Sequence, residues 1–258
     1  MVGRLVEVWN YREMLWSLIL SELRTRYKGS FLGFLWTFVN PLLMLLVYTF
    51  IFSEIMRVKI PHYSLFIFIG LLAWNLFATS VQSSSNVIVR QGSLVKKLYF
   101  PREVLPLSVV GGGVINYLFS LVILFPFLLF NGYYPTLNWL YLPLILLLET
   151  IFSLGLSLSL SSLTVYLRDI EHMLGTFLML WFYLTPVVYS LSILPPFVGQ
   201  LLKLNPMTDV VLGFQSIFYY NQSPHWKMLL YGFLVSLVLL IFGWWLFLRL
   251  NRRFAEEV

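Results

Sequence analysis

Six long apolar stretches, joined by short and mostly basic connections, restrict where this chain can fold. A helix needs about 20 predominantly apolar residues to cross the hydrocarbon core of a bilayer. The stretches fall at 31–57, 63–88, 104–131, 137–166, 173–194 and 226–248. Lipid offers the backbone no hydrogen-bond partners, so apolar segments of this length are expected to be helical. The expected fold is an all-α polytopic membrane protein with six transmembrane helices. A mean hydropathy of +0.83 with 59% hydrophobic residues does not suit a soluble domain. The connections leave no room for a folded soluble domain either.

The net charge of +6 would suggest nucleic-acid binding in a soluble protein, but here its distribution points to topology. Of the 17 Lys and Arg residues, 13 precede span one, follow span six, or lie between spans two and three or four and five. The other 4 are Arg57, Lys59, Lys203 and Lys227, in the alternate connections. The positive-inside rule then places both termini in the cytoplasm, as an even span count requires. The first 30 residues carry charges throughout and show no small-residue cleavage site, so no cleaved leader is expected. The chain has no cysteine, which excludes disulfides, thiol catalysis and thiolate metal sites.

Residues 1–30 read as a cytoplasmic interface segment and 31–258 as the membrane domain. Within 8–28, polar Asn10, Glu13, Ser17, Ser21, Arg24 and Lys28 recur every three or four residues. Leu15, Trp16, Leu18, Ile19 and Leu23 supply the opposite side. That pattern predicts one amphipathic helix at the membrane surface, with Trp9 and Trp16 at headgroup depth. Glu22 and Arg26 can pair along it. Span one contains Asn40-Pro41, where a kink is expected. The connection 90–103 mixes Leu94, Val95, Leu98, Tyr99 and Phe100 with four cations, which suits a short helix lying on the membrane or docked on a partner. Between spans five and six, 191–225 is too apolar for an ordinary loop, and prolines at 195, 196, 206 and 224 divide it. Two short helices, near 196–204 and 207–220, are expected to re-enter the outer face.

Catalytic signatures are absent from the sequence. There is no G-x-x-x-x-G-K-[ST] for ATP and no H-E-x-x-H for a metal. His62, His172 and His225 are widely separated at predicted membrane edges. Glu149 is the one ionisable residue deep in a span; it reads as a packing residue or as a proton-relay group. Aromatics make up 18% of the chain and are dense in spans one and five. These include Phe34, Trp36 and Phe38, then Phe177, Trp181, Phe182 and Tyr183.

Five motifs in order carry a resemblance: RYKGSFLGFLWTFVNPL (26–42), KKLYFPREVLPLS (96–108), YLRDIEHM (166–173), LTPVVYSLSILPP (184–196) and LNPMTDVVLGFQSIFY (204–219). Together they resemble the permease subunits of type-2 ABC exporters for polysaccharides, most closely those for O-antigen. The resemblance implies a homodimer bound to two copies of a cytoplasmic ABC ATPase. It implies no cofactor in this chain, with ATP and Mg held by the ATPase. It also implies export of a polyprenyl-diphosphate-linked glycan across the bacterial inner membrane. On this likeness the N-terminal helix and 167–173 correspond to ATPase-contacting elements, and the 196–220 pair to external gate helices. Arg168, Asp169, Glu171 and His172 become candidates for ATPase coupling.

Phosphate is recognised by Arg and Lys. Arg24, Arg26, Lys28, Arg90, Lys96 and Lys97 are therefore the candidates for holding the lipid diphosphate. Aromatic faces stack on sugar rings and close on one another by apolar packing. Phe34, Trp36, Phe38, Trp181, Phe182 and Tyr183 are the candidates for lining the conduit. Two other classes stay open. An ATPase-independent flippase or secondary transporter should show coupling-ion residues within spans, and only Glu149 qualifies. A membrane-embedded glycosyl- or acyltransferase should show an acidic or His-rich cluster, and only residues 168–172 come near.

Overall fold

A computed structural model describes residues 2–27, 33–51, 61–251 and 254–257. Among these, every regular element is helical. Four helices have the length and composition to cross a membrane, with mean hydropathies of 1.8 to 2.2. They are α4 (Tyr63–Ser85), α7 (Val104–Phe130), α8 (Leu142–Thr164, preceded by a 3-10 turn at Leu137–Tyr141) and α12 (Trp226–Leu250). They account for the predicted second, third, fourth and sixth spans.

The other two predicted spans contain shorter helices. Of the first, α3 is described over Trp36–Thr49, 14 residues, and residues 31, 32 and 52–57 lie outside the described part. The fifth holds α9, Asp169–Tyr183, of 15 residues. At 1.5 Å per residue each is about 21–23 Å long. The chain leaves α9 at Leu184, just before Pro186, and α10 (Pro196–Leu202) and α11 (Pro206–Phe218) follow.

Packing explains the layout. α4 sits in the middle, against α3, α7, α8, α9 and α11, and its first half is apolar on all sides. Its run from Leu65 to Trp74 is buried without a break. α8 and α12 pack along most of their length through small residues. A Cβ placed on Gly243 would lie 2.2 Å from the Gly155 carbonyl oxygen, and one on Gly155 would lie 2.7 Å from the Leu240 amide nitrogen. Lipid tails are as apolar as leucine, so membrane helices associate by close backbone approach, which small residues permit. The opposite face of α12 presents Leu230, Leu234, Val238, Ile241 and Trp245 outward.

The single amphipathic helix expected over 8–28 is instead two, α1 (Val2–Asn10) and α2 (Arg12–Tyr27), broken at Tyr11. No proline or glycine lies in 4–28 to mark the break. What holds the two helices is long-range. Arg4 Nε donates to Glu103 Oε1 at 2.9 Å, and its Nη1 reaches Glu7 Oε2 at 2.6 Å. Glu103, just before α7, is fully buried. On α2, Ile19 seats against Gly111 and Gly112 of α7. Trp9 and Trp16 remain exposed. Both chain ends meet at this end of the bundle, where Arg102 donates to the Asn251 carbonyl at 2.7 Å and α13 (Phe254–Glu257) packs on α6 (Gly92–Lys97).

Candidate functional site

A cavity of about 720 Å³ opens between α3, α4 and α7. Each helix contributes one carboxamide and one Ser or Thr hydroxyl about a turn apart: Asn40 with Thr37, Asn75 with Thr79, Asn116 with Ser120. Leu43, Met44 and Val47 of α3 form an apolar wall, and no charged side chain is among the described lining residues. Pro41 lacks an N–H, so the Thr37 carbonyl loses its usual partner beside this space. Two of the hydroxyls turn back on their own helices, Thr79 Oγ1 to the Asn75 carbonyl (2.6 Å) and Ser120 Oγ to the Asn116 carbonyl (3.0 Å). Asn116 Oδ1 and Thr37 Oγ1 are buried with no hydrogen-bond partner among the described residues. Groups of this kind are ordinarily satisfied. The arrangement presents neutral donors and acceptors beside apolar surface, which suits a hydroxyl-rich, uncharged ligand better than a phosphate.

Behind the cavity, Glu149, Ser153 and Ser157 follow one another at four-residue spacing along α8. All three are fully buried, and their side-chain oxygens lack partners among the described residues. Tyr117, a cavity-lining residue of α7, lies within electrostatic range of Glu149.

The aromatic candidates separate by what packs behind them. Trp181 faces inward, edge-on to Phe77 (5.2 Å) and Phe152 (6.0 Å), and its Nε1 donates to Asn205 Oδ1 at 3.0 Å. Phe182 packs on Trp74 at 5.6 Å. Tyr183 is exposed, on the same outward side of α9 as Met173, Phe177 and Leu180. In α3, Phe38 meets Phe119 of α7 at 5.9 Å and Trp36 is half-buried, while the Phe34 side chain lies outside the described part.

Three carbonyls of the non-helical stretch after α9 accept hydrogen bonds from side chains of other elements. Asn205 Nδ2 donates to the Leu184 carbonyl, Gln215 Nε2 to that of Pro186, and the Tyr63 hydroxyl to that of Val188. Asn205 also caps α11. On the same helix, Asp209 is buried against Gly232 of α12 with neither carboxylate oxygen hydrogen-bonded among the described residues, and burial pushes its pKa up to about 7. α11 is 13 residues, about 20 Å, too short to span.

The charged candidates collect at the end of the bundle that carries both termini. Arg168 precedes α9, and Asp169 and Glu171 occupy its first turn, where acidic side chains complement the helix dipole. Glu171 is engaged: Asn86 Nδ2 donates to its carboxylate and Gln82 Nε2 to its carbonyl, at 3.3 Å for the latter. Arg168, Asp169 and His172 are exposed. Arg24, Arg90, Lys96 and Lys97 are exposed nearby, with Arg90 bonded to Glu22 at 3.2 Å. The Arg26 side chain and the whole of Lys28 lie outside the described residues. Beside the two lysines, Leu98 and Tyr99 also project outward.

Three features were not anticipated from sequence: the amide cavity, the Asn205 junction and the Arg4–Glu103 pair. The first had a visible signal in the repeated pairing of an Asn with a Ser or Thr about one turn away. The other two join residues far apart in the chain.

Residues 13–219 match the model of the ABC-2 type transporter family, and the chain belongs to that family. It is 38% identical over 260 residues, covering 100% of both chains, to the O-antigen export system permease protein RfbA of Myxococcus xanthus. It is 35% identical over 237 residues to the protein of that name from Klebsiella pneumoniae, covering 92% of this chain and 91% of the relative. The polysialic acid transport protein KpsM of Escherichia coli is 26% identical over 203 residues, covering 76% and 77%.

Proposed function

We propose that this chain is the permease subunit of an ATP-driven exporter that carries a polyprenyl-diphosphate-linked, O-antigen-like polysaccharide across the bacterial inner membrane. The observation that carries the reading is the end-to-end likeness to O-antigen export permeases, at 38% identity over 260 residues. Two copies form the membrane unit, with the outward sides of α3 and α9 lining the conduit at the dimer centre, and two cytoplasmic ABC ATPase subunits supply ATP and Mg. Both termini are cytoplasmic. α3 and α9 complete a set of six spans, and α10 and α11 form an external gate. Arg168, Asp169, Glu171 and His172 face the ATPase. The cations at 24, 26, 28, 90, 96 and 97 gather the lipid diphosphate, and neutral sugar rings pass the amide-lined cavity and the outward aromatic residues.

The test is reconstitution with the partner ATPase in proteoliposomes, followed by measurement of lipid-linked glycan reaching the far side. ATP-dependent transfer that stops in an ATPase-dead complex is expected. Transfer at the same rate without the ATPase would refute the reading in favour of a flippase.

A further inference from the structure

Asn205 uses its whole hydrogen-bonding capacity at the junction between α9 and α11. A carboxamide has two acceptor lone pairs and two N–H donors. Oδ1 accepts from Trp181 Nε1 and from the Met207 amide, each at 3.0 Å. Nδ2 donates to Thr185 Oγ1 at 3.0 Å and to the Leu184 carbonyl at 3.3 Å. One of these four bonds, from Met207, is an ordinary helix cap. The other three grip the last turn of α9 and the chain just beyond it.

A second tie runs in parallel. Gln215, ten residues and about 15 Å further along α11, donates to the Pro186 carbonyl at 3.3 Å. Both ends of α11 are therefore bonded to the stretch that continues α9. Trp181, the donor at one end, is itself packed between Phe77, Phe152 and Phe177. A displacement of α9 cannot leave α11 behind without breaking hydrogen bonds at both ends of α11, the one from Gln215 fully buried.

We propose that Asn205 is a positioning residue for export: it makes the outer helix α11 move with α9 as one body. The proposal rests on the permease reading above and names how its outer gate is driven. It differs from a capping role in a way that substitution can separate. Asp and Ser cap helices about as well as Asn. A carboxylate has no N–H, so Asn205→Asp keeps the cap and the acceptor for Trp181 but loses the bond to the Leu184 carbonyl, and it can keep Thr185 only if that hydroxyl turns to donate. Asn205→Ser keeps the cap alone.

Glycan exported per ATP hydrolysed is the readout, in proteoliposomes containing the partner ATPase. Both variants are expected to fold and to hydrolyse ATP. Asn205→Asp should export about fivefold less glycan per ATP, the factor for one net hydrogen bond, or still less. Asn205→Ser should be at least as impaired. Asn205→Asp with the wild-type ratio would overturn the proposal.

A second measurement does not depend on these variants folding. The chain has no cysteine, so Tyr183→Cys and Tyr220→Cys, both at exposed positions, accept spin labels cleanly. The distance between them should stay constant between nucleotide-free and ATP-trapped complexes, while the distance from each to a label at exposed Leu234 of α12 changes. A 183–220 distance that changes between the two states overturns the proposal. Absence of export by the wild type would refute the permease reading instead, and the distances would still decide whether α9 and α11 move together.

Discussion

Replacing Gly243 by alanine tests the packing that holds α8 against α12. The added Cβ would stand 2.2 Å from the Gly155 carbonyl oxygen, 2.8 Å from Ser159 Oγ and 3.2 Å from the Gly155 carbonyl carbon. Two of these three atoms belong to backbone, so no rotamer change relieves the contact. The Ser159 hydroxyl is also committed, donating to the Gly155 carbonyl at 2.9 Å. The helices must separate by about an ångström over a close-packed stretch. Overpacking of this kind costs about 1–3 kcal/mol, and a rigid backbone contact favours the upper end. For a chain of this size that lowers the melting temperature by about 2–4 °C per kcal/mol.

The assay is thermal unfolding of the purified protein in detergent. Gly199→Ala is the control: it lies in α10 with nothing within 4 Å of the added carbon. That substitution should be neutral or raise stability by up to about 1 kcal/mol through helix propensity. Gly155→Ala should lower the melting temperature for the same reason as Gly243→Ala. The double variant should fall short of the sum, because helices already separated accept the second methyl more cheaply. A Gly243→Ala protein melting with the wild type would refute the close approach of the two helices.

Four further outcomes are expected. Arg4→Ala leaves buried Glu103 without its cation, and should loosen α1 by about 2 kcal/mol, seen as faster tryptic cleavage at Arg12; Arg4→Lys should recover part of the protection. Alanine at both Asp169 and Glu171 should uncouple ATP hydrolysis from export while membrane insertion persists, and wild-type export rates would refute the coupling role. Cysteine at 183 should react with a water-soluble thiol reagent in the assembled transporter while cysteine at 181 stays protected; the reverse pattern would overturn the assignment of the outward side of α9. Burial raises the Asp209 pKa from the usual carboxylate value to about 7, so the folded protein holds this proton more tightly than the unfolded chain. Stability should therefore fall as pH rises from about 4 to 7 and level off above. Asp209→Asn should flatten that slope in melting curves taken across the range, and an unaltered slope would assign it to another group.

The fold was legible wherever a local property decided it. Length and hydropathy located α4, α7, α8 and α12, and prolines at 186, 195, 196 and 206 marked where helices cannot continue. The break at Tyr11 was not legible, because no proline or glycine stands near it. The candidate site divides the same way. Aromatic crowding in α9 is plain from the sequence, but adjacent residues project about 100° apart. Whether residue 181 or 183 faces outward depends on Phe77, Phe152 and Asn205, which come from other elements. Of the six candidate cations, Arg24, Arg90, Lys96 and Lys97 are exposed at the end that carries both termini. Arg4 and Glu103 are 99 residues apart, and no periodic pattern relates them. The amide cavity was written in the sequence as three Asn–hydroxyl pairs, each unremarkable alone and meaningful only once three helices bring them together.

The irregular stretch after α9 also constrains how the protein is made. The Pro186 carbonyl is satisfied by a side chain that lies 29 residues later in the chain, and the Leu184 carbonyl by one 21 residues later. At about 5–20 residues per second, the ribosome delivers Gln215 one to several seconds after Pro186. During that interval, exposed carbonyls at 184 and 186 would face hydrocarbon unpartnered, at several kcal/mol each. A nascent chain halted before residue 205 should therefore hold α9 at the water-filled insertion site, and release it into lipid only once α11 has been synthesised.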